Sequence, residues 1–164
     1  MKSWLIRKRV ALGLPLALAA SFLAHPCNLM LIAIGIPIVL TGLLLRTWAA
    51  GYVHKDQVLA REGSYAIVRH PLYLGSVLMA IGLCLAFSCP EHPEKTAFLW
   101  VMLIAYFGIL YTWKIKEEEK SLAKQFGREW DEYARLVPLF LPTRLNEAIF
   151  ASNSFALKQW LRNK

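Results

Sequence analysis

Charge is scarce in this sequence. Asp, Glu, Lys and Arg make up 18% of its 164 residues, against about 25% in a soluble domain. Hydrophobic residues reach 57%, against about 45–50%. The shortage of charge excludes an ordinary soluble fold, and the length allows one domain. Acidic residues are scarcer still, 11 against 19 Lys and Arg, for a net charge of +8. The basic residues flank apolar runs and are not interleaved with aromatics. They read as anchors against anionic membrane lipid and not as a nucleic-acid surface.

Several motifs are missing as well. There is no G-x-G-x-x-G and no G-x-x-x-x-G-K-[ST], which excludes a Rossmann fingerprint and a P-loop. There is no G-x-S-x-G elbow. His25, His54, His70 and His92 show no H-E-x-x-H spacing, so no metal site is expected. Cys27, Cys84 and Cys89 form no C-x-x-C and read as small buried apolar residues. A Cys27–Cys89 bridge would require both loops to face an oxidising side.

What is present is four apolar runs, at 10–24, 29–53, 72–87 and 97–113. A membrane-spanning helix needs about 20 residues. The second run has them, and the third and fourth reach that length with their flanks. The first shows no clean small-x-small cleavage site followed by a soluble mature domain, so it reads as a span and not as a signal peptide. The expected fold is all-α: a polytopic bundle of about four transmembrane helices, with amphipathic cytoplasmic helices at the C-terminus. Lys and Arg concentrate before the first run, in the second loop and in the tail. The positive-inside rule puts those segments, and both termini, in the cytoplasm. In a bacterium this means the inner membrane.

Pro15 and Pro37 interrupt the first two runs and are expected to kink them. Gly35 and Gly42, seven apart, share a face that permits close helix approach. The tail reads as a helix continuing the fourth run, a break near Gly127, a short second helix ending at Pro138, and an interfacial helix over 143–161.

The polar residues cluster on the cytoplasmic side. The third and fourth runs are joined by a short loop and should be antiparallel neighbours. Residues 69–73 and 114–119 then meet at one cytoplasmic mouth. In Arg69-His70-Pro71-Leu72-Tyr73, Pro71 fits the first helical position and holds His70 extended. The N–H groups of Leu72, Tyr73 and Leu74 are then open, at the positive end of the helix dipole. With the Arg69 fork they suit a carboxylate or phosphate. The stretch reads equally as a snorkelling arginine and a capping histidine that anchor the helix. Lys114 and Glu118, four apart, suit a simple ion pair. Glu117, Glu118 and Glu119 point in three directions on a helix, so at least one faces the mouth.

The stretch "REGSYAIVRHPLYLGSVLMAIG", followed one span later by "KIKEEEKSLAKQFGREWDEYARLVPLFLP", resembles the isoprenylcysteine carboxyl methyltransferase and phospholipid methyltransferase group of integral membrane enzymes. The resemblance covers 57–142. It implies a methyltransferase core at 57–142; residues 1–56 fit only by hydropathy, as a helical hairpin, and 143–164 reads from its own spacing as an interfacial helix. It implies S-adenosylmethionine as cofactor and a lipophilic acceptor bearing a carboxylate or an amine, in a monomer or homodimer. By position, Gln57, Val58, Leu59, Ala60, Tyr65, His70, Pro71, Leu72 and Tyr73 would line the cofactor site, with Glu118 binding the cofactor and Glu119 beside it. Arg69, His70 and Lys114 would act at the reacting groups. Lys114 stands where the carboxyl methyltransferase branch has arginine. A lysine is a point charge without the bidentate fork, which weakens the case for a prenylcysteine acceptor. A membrane reductase using NADPH, with Lys55 and Arg61 on the 2′-phosphate, and a non-catalytic membrane helper are the alternatives.

Overall fold

The computed structural model describes residues 26–52 and 58–141, and all regular structure among them is helical. The helices are α1 (Leu29–Tyr52), α2 (Pro71–Ala86), α3 (Pro93–Tyr106), α4 (Thr112–Phe126) and α5 (Arg128–Leu136). A 3₁₀ turn (Gly63–Ala66) precedes α2, and a π turn (Phe107–Tyr111) joins α3 to α4. The first apolar run, Pro15, Gln57 and the 143–161 helix lie outside the described residues.

Two of the four expected spans stand out by length and composition, Leu29–Tyr52 and the continuous helix Pro93–Phe126. The third run forms a helix of 16 residues, about 24 Å long and short of the bilayer core of about 30 Å. The 34-residue helix is about 51 Å long, so its charged end projects beyond the bilayer.

α1 and α2 form an antiparallel hairpin built on glycine. Gly35 faces Gly82 and Gly42 faces Gly75. A Cβ on Gly42 would lie 2.6 Å from the Gly75 carbonyl oxygen, and one on Gly75 would lie 2.7 Å from that of Gly42. The shared glycine face read from the sequence is therefore the packing face. The large side chains point the other way: Leu29, Ile36, Leu40 and Leu44 are exposed, as suits contact with lipid tails. Asn28 caps α1, its Oδ1 accepting from the N–H groups of Met30 (2.9 Å) and Leu31 (3.2 Å). Pro37 sits inside α1 without ending it.

The reading of all three cysteines as buried thiols is corrected. Cys84 is a buried free thiol, but Cys27 and Cys89 form a disulfide with a Cα–Cα distance of 5.4 Å. It ties the start of α1 to the loop after α2. Spacing could not show this, because the two cysteines are 62 residues apart and meet only once the hairpin forms.

The π turn sets the register of the long helix. Leu99 is buried in α3 and Ile115 in α4. At 3.6 residues per turn, Leu99 and Tyr111 would stand about 120° apart. The residue inserted by the π turn removes roughly 100° of that. Leu99, Tyr111, Ile115 and Glu118 then share one face. Beyond it, Gly127 (φ 54°) ends α4 at the expected break, and α5 folds back. Leu59, Trp130, Tyr133 and Val137 form a small core there, flanked by Leu122 and Phe126.

Candidate active site

The mouth is organised by the start of α2. Pro71 occupies the first helical position and is buried. His70 before it is non-helical, at φ −125° and ψ 61°. The open N–H groups expected here are fewer than the sequence implied, because the His70 carbonyl accepts from both Tyr73 (3.1 Å) and Leu74 (3.0 Å). Gly63, at φ 58°, passes under the ring of Tyr52, where a Cβ would come within 2.5 Å of ring carbons. That contact fixes the 3₁₀ turn, and with it Tyr65, against the end of α1.

The three glutamates of α4 do point three ways. Glu117 accepts from Lys114 Nζ at 2.8 Å on the exposed side. Glu118 accepts from the Tyr73 hydroxyl at 2.6 Å. Glu119 accepts from Arg69 Nη1 at 2.6 Å, with His70 Nε2 at 3.4 Å. The two clusters, about fifty residues apart in sequence, therefore meet as expected. The pairing expected for Lys114 is corrected: it bonds Glu117, three residues on, and not Glu118.

Between them lies a cavity of about 260 Å³. Of the residues expected at a cofactor site, Val58, Leu59, Ala60 and Tyr65 line this cavity from the loop, His70 and Leu72 from the start of α2, and Glu118 from α4; Arg69 lines it too. Tyr73 and Glu119 stand behind the lining, each bonded to a residue in it. Lys114 does not line it. The far wall is Leu122, Gln125, Phe126, Trp130 and Tyr133, residues not singled out in the sequence as site residues. Their helical spacing was visible, but only the return of α5 over the cavity turns that face into a wall.

Three bonds hold this wall to the loop. The Tyr133 hydroxyl donates to the Tyr65 carbonyl at 2.8 Å. Arg61 pairs with Glu129. The Arg69 N–H donates to the Pro138 carbonyl at 2.9 Å. Burial, then the nearby Glu118 carboxylate, pushes the Tyr65 hydroxyl far above its ordinary range. Burial also raises Tyr133, against the opposing pull of Arg69 and Arg61. Both stay neutral hydrogen-bond donors. Burial lowers His70 below its ordinary value, outweighing the upward pull of Glu118 and Glu119. The imidazole is therefore neutral at pH 7.

Arg46, unmarked as a site residue in the sequence, does not line the cavity but bonds Leu72, which does. It lies inside an apolar helix, packs its stem on Gly75 and donates Nη1 to the Leu72 carbonyl at 3.1 Å and to the Ser76 hydroxyl. Among the described residues no carboxylate pairs with it.

The donor set suits S-adenosylmethionine. Arg69 carries a buried Nε with no partner and can receive a carboxylate. Glu118 can receive an ammonium or ribose hydroxyls. Tyr65, Phe126 and Trp130 offer ring faces.

The family model described as the isoprenylcysteine carboxyl methyltransferase family matches residues 37–124. The cobalt-zinc-cadmium resistance protein CzcN of Cupriavidus metallidurans is 34% identical over 119 residues, which are 71% of this chain and 50% of that protein. The protein-S-isoprenylcysteine O-methyltransferase of Schizosaccharomyces pombe is 30% identical over 89 residues, 54% of this chain and 35% of that one. A mouse delta(14)-sterol reductase is 34% identical over 77 residues, 47% of this chain and 17% of the reductase. The chain spans about half the length of the first of these and less of the other two. No solved structure matches.

Proposed function

This chain belongs to the isoprenylcysteine carboxyl methyltransferase family, and from that premise we propose that it moves a methyl group from S-adenosylmethionine to a lipophilic acceptor at the cytoplasmic face of a membrane. The observation that carries the reading is the junction at the cavity: Tyr73 on Glu118 at 2.6 Å, beside Arg69 on Glu119 at 2.6 Å. It offers one anionic and one cationic group on a fixed frame, as a zwitterionic amino-acid moiety requires.

When bound, the cofactor supplies an activated methyl on a sulfonium, so the protein has little covalent work to do. Its residues bind, align and exclude water. Glu118 receives the ammonium or the ribose, and Arg69 the carboxylate. Tyr65, Phe126 and Trp130 cover the planar base. Tyr133 and the Arg61–Glu129 pair keep α5 closed over the cavity. The acceptor arrives sideways from the bilayer. A carboxylate acceptor is already ionised and needs only a cation. Lys114 is engaged by Glu117 on the exposed side, so the cation in place at the cavity for that role is Arg69. An amine acceptor must lose a proton, and the neutral His70 imidazole can take it.

Two features support a cytoplasmic site. Lys and Arg concentrate on its side of the chain. The Cys27–Cys89 disulfide closes the opposite ends of α1 and α2, and disulfides persist on oxidising sides of membranes. The sterol reductase similarity raises hydride transfer from NADPH as the rival. That reading would place Lys55 and Arg61 on the 2′-phosphate; Lys55 lies outside the described residues, and Arg61 pairs with Glu129.

The test is incubation of the purified protein with methyl-labelled S-adenosylmethionine and a total lipid extract. Label in the lipid fraction is expected, and its release by mild base separates an ester from an N-methyl product. Oxidation of NADPH with an enone lipid, and no label transferred, would replace this reading with the reductase.

A further inference from the structure

The aromatic residues at the π turn are not used by the chemistry above, yet they run directly into it. Phe107 and Tyr111 meet edge to face with ring centroids 4.6 Å apart. Tyr111 meets Tyr73 edge to face at 5.0 Å. The Tyr73 hydroxyl then donates to Glu118 at 2.6 Å. Tyr73 is buried, and its ring is held between Tyr111 on one side and the His70 ring, 5.6 Å away, on the other. An unbroken α-helix would turn the Tyr111 face about 120° away from the Leu99 face. The long helix would then have to leave α2 at one end or the other. π turns are commonly found at functional sites for such reasons.

We propose that Tyr111, set on the site face by the π turn, is a positioning residue: its ring fixes Tyr73 so that the Tyr73 hydroxyl holds Glu118 ready for the cofactor. The inference rests on the proposed role of Glu118 and adds a residue that itself stands off the cavity. Glu118 occupies one bond with Tyr73 and keeps its remaining lone pairs for the ligand. If the Tyr73 ring tilts, that carboxylate loses its donor and its fixed orientation.

The experiment is calorimetric titration of detergent-purified full-length protein with S-adenosylhomocysteine. Tyr111→Leu is expected to weaken binding about three- to tenfold, the scale of one edge-to-face pair. Tyr111→Phe keeps the ring and should bind within about twofold of the parent. The decisive comparison is made in a Tyr73→Phe background, where the hydroxyl link is already gone. There Tyr111→Leu should cost little more, because both changes break one chain. Tyr111→Met carries the same expectation should Tyr111→Leu not fold. Equal losses from Tyr111→Leu in both backgrounds, or failure of Tyr111→Phe to restore binding, would overturn the positioning role while leaving the methyltransferase reading intact. Absence of binding by the parent protein sinks that reading and this inference with it.

Discussion

Glu118 and Glu119 differ by one position, yet they meet different partners, and residue-scale predictions separate them. Glu118→Ala should weaken S-adenosylhomocysteine binding by about tenfold or more, the worth of a charge-assisted hydrogen bond. Lys114→Ala should change it by less than about twofold, since Lys114 bonds only the exposed Glu117 and a surface pair contributes little. Calorimetry on the two variants checks both. His70 gives a pH dependence. Its burial lowers its pKa, so the unfolded chain binds that proton more readily than the folded one. Stability should therefore fall as pH drops below about 6.5, the ordinary imidazole value. Thermal melts between pH 7.5 and pH 5 should show this fall in the parent and a flatter profile in His70→Gln. The meeting of the α2 start with the glutamate run was legible in the sequence, because Pro71 and the run constrain their own local geometry; the wall from Leu122 to Tyr133 was not. Lys114 was misread for a physical reason: helix spacing permits partners three or four residues away, and only the docked helix shows which one is taken. Arg46 was not singled out in the sequence, and its contact with Leu72 depends on a hairpin that brings positions 26 residues apart together.

At the scale of elements, two glycine substitutions should behave oppositely. Gly42→Ala puts a Cβ 2.6 Å from the Gly75 carbonyl, and backbone cannot yield as a side-chain tip does. A loss of about 1–3 kcal/mol is expected, read as a melting temperature several degrees lower. Gly108 lies in the π turn with nothing within 4 Å of a Cβ, so Gly108→Ala should be neutral or slightly stabilising. The glycine face of α1 was readable from the seven-residue spacing, because small residues repeat where helices touch. The π turn was not readable. Nothing in Phe107-Gly-Ile-Leu-Tyr111 marks an inserted residue; it follows from the need to keep Leu99 and Glu118 on one face. The closure of α5 was half readable. Its aromatic face is periodic in the sequence, but the surface it would cover is set by the loop beneath.

For the whole molecule, charge distribution and disulfide both support the proposed orientation, with the cavity toward the cytoplasm and Cys27–Cys89 toward the other side. In intact cells, a membrane-impermeant reductant should open the bridge and make the exposed Cys27 reactive to an impermeant maleimide. Labelling that appears only after permeabilisation would reverse the orientation. The central claim is that the cavity between α2, α4 and α5 takes S-adenosylmethionine. The most direct test is titration of the purified protein with S-adenosylhomocysteine. Saturable binding at one site, retained in Lys114→Ala and weakened about tenfold or more in Glu118→Ala, is the predicted result. No binding up to millimolar ligand, or binding indifferent to Glu118, would contradict it.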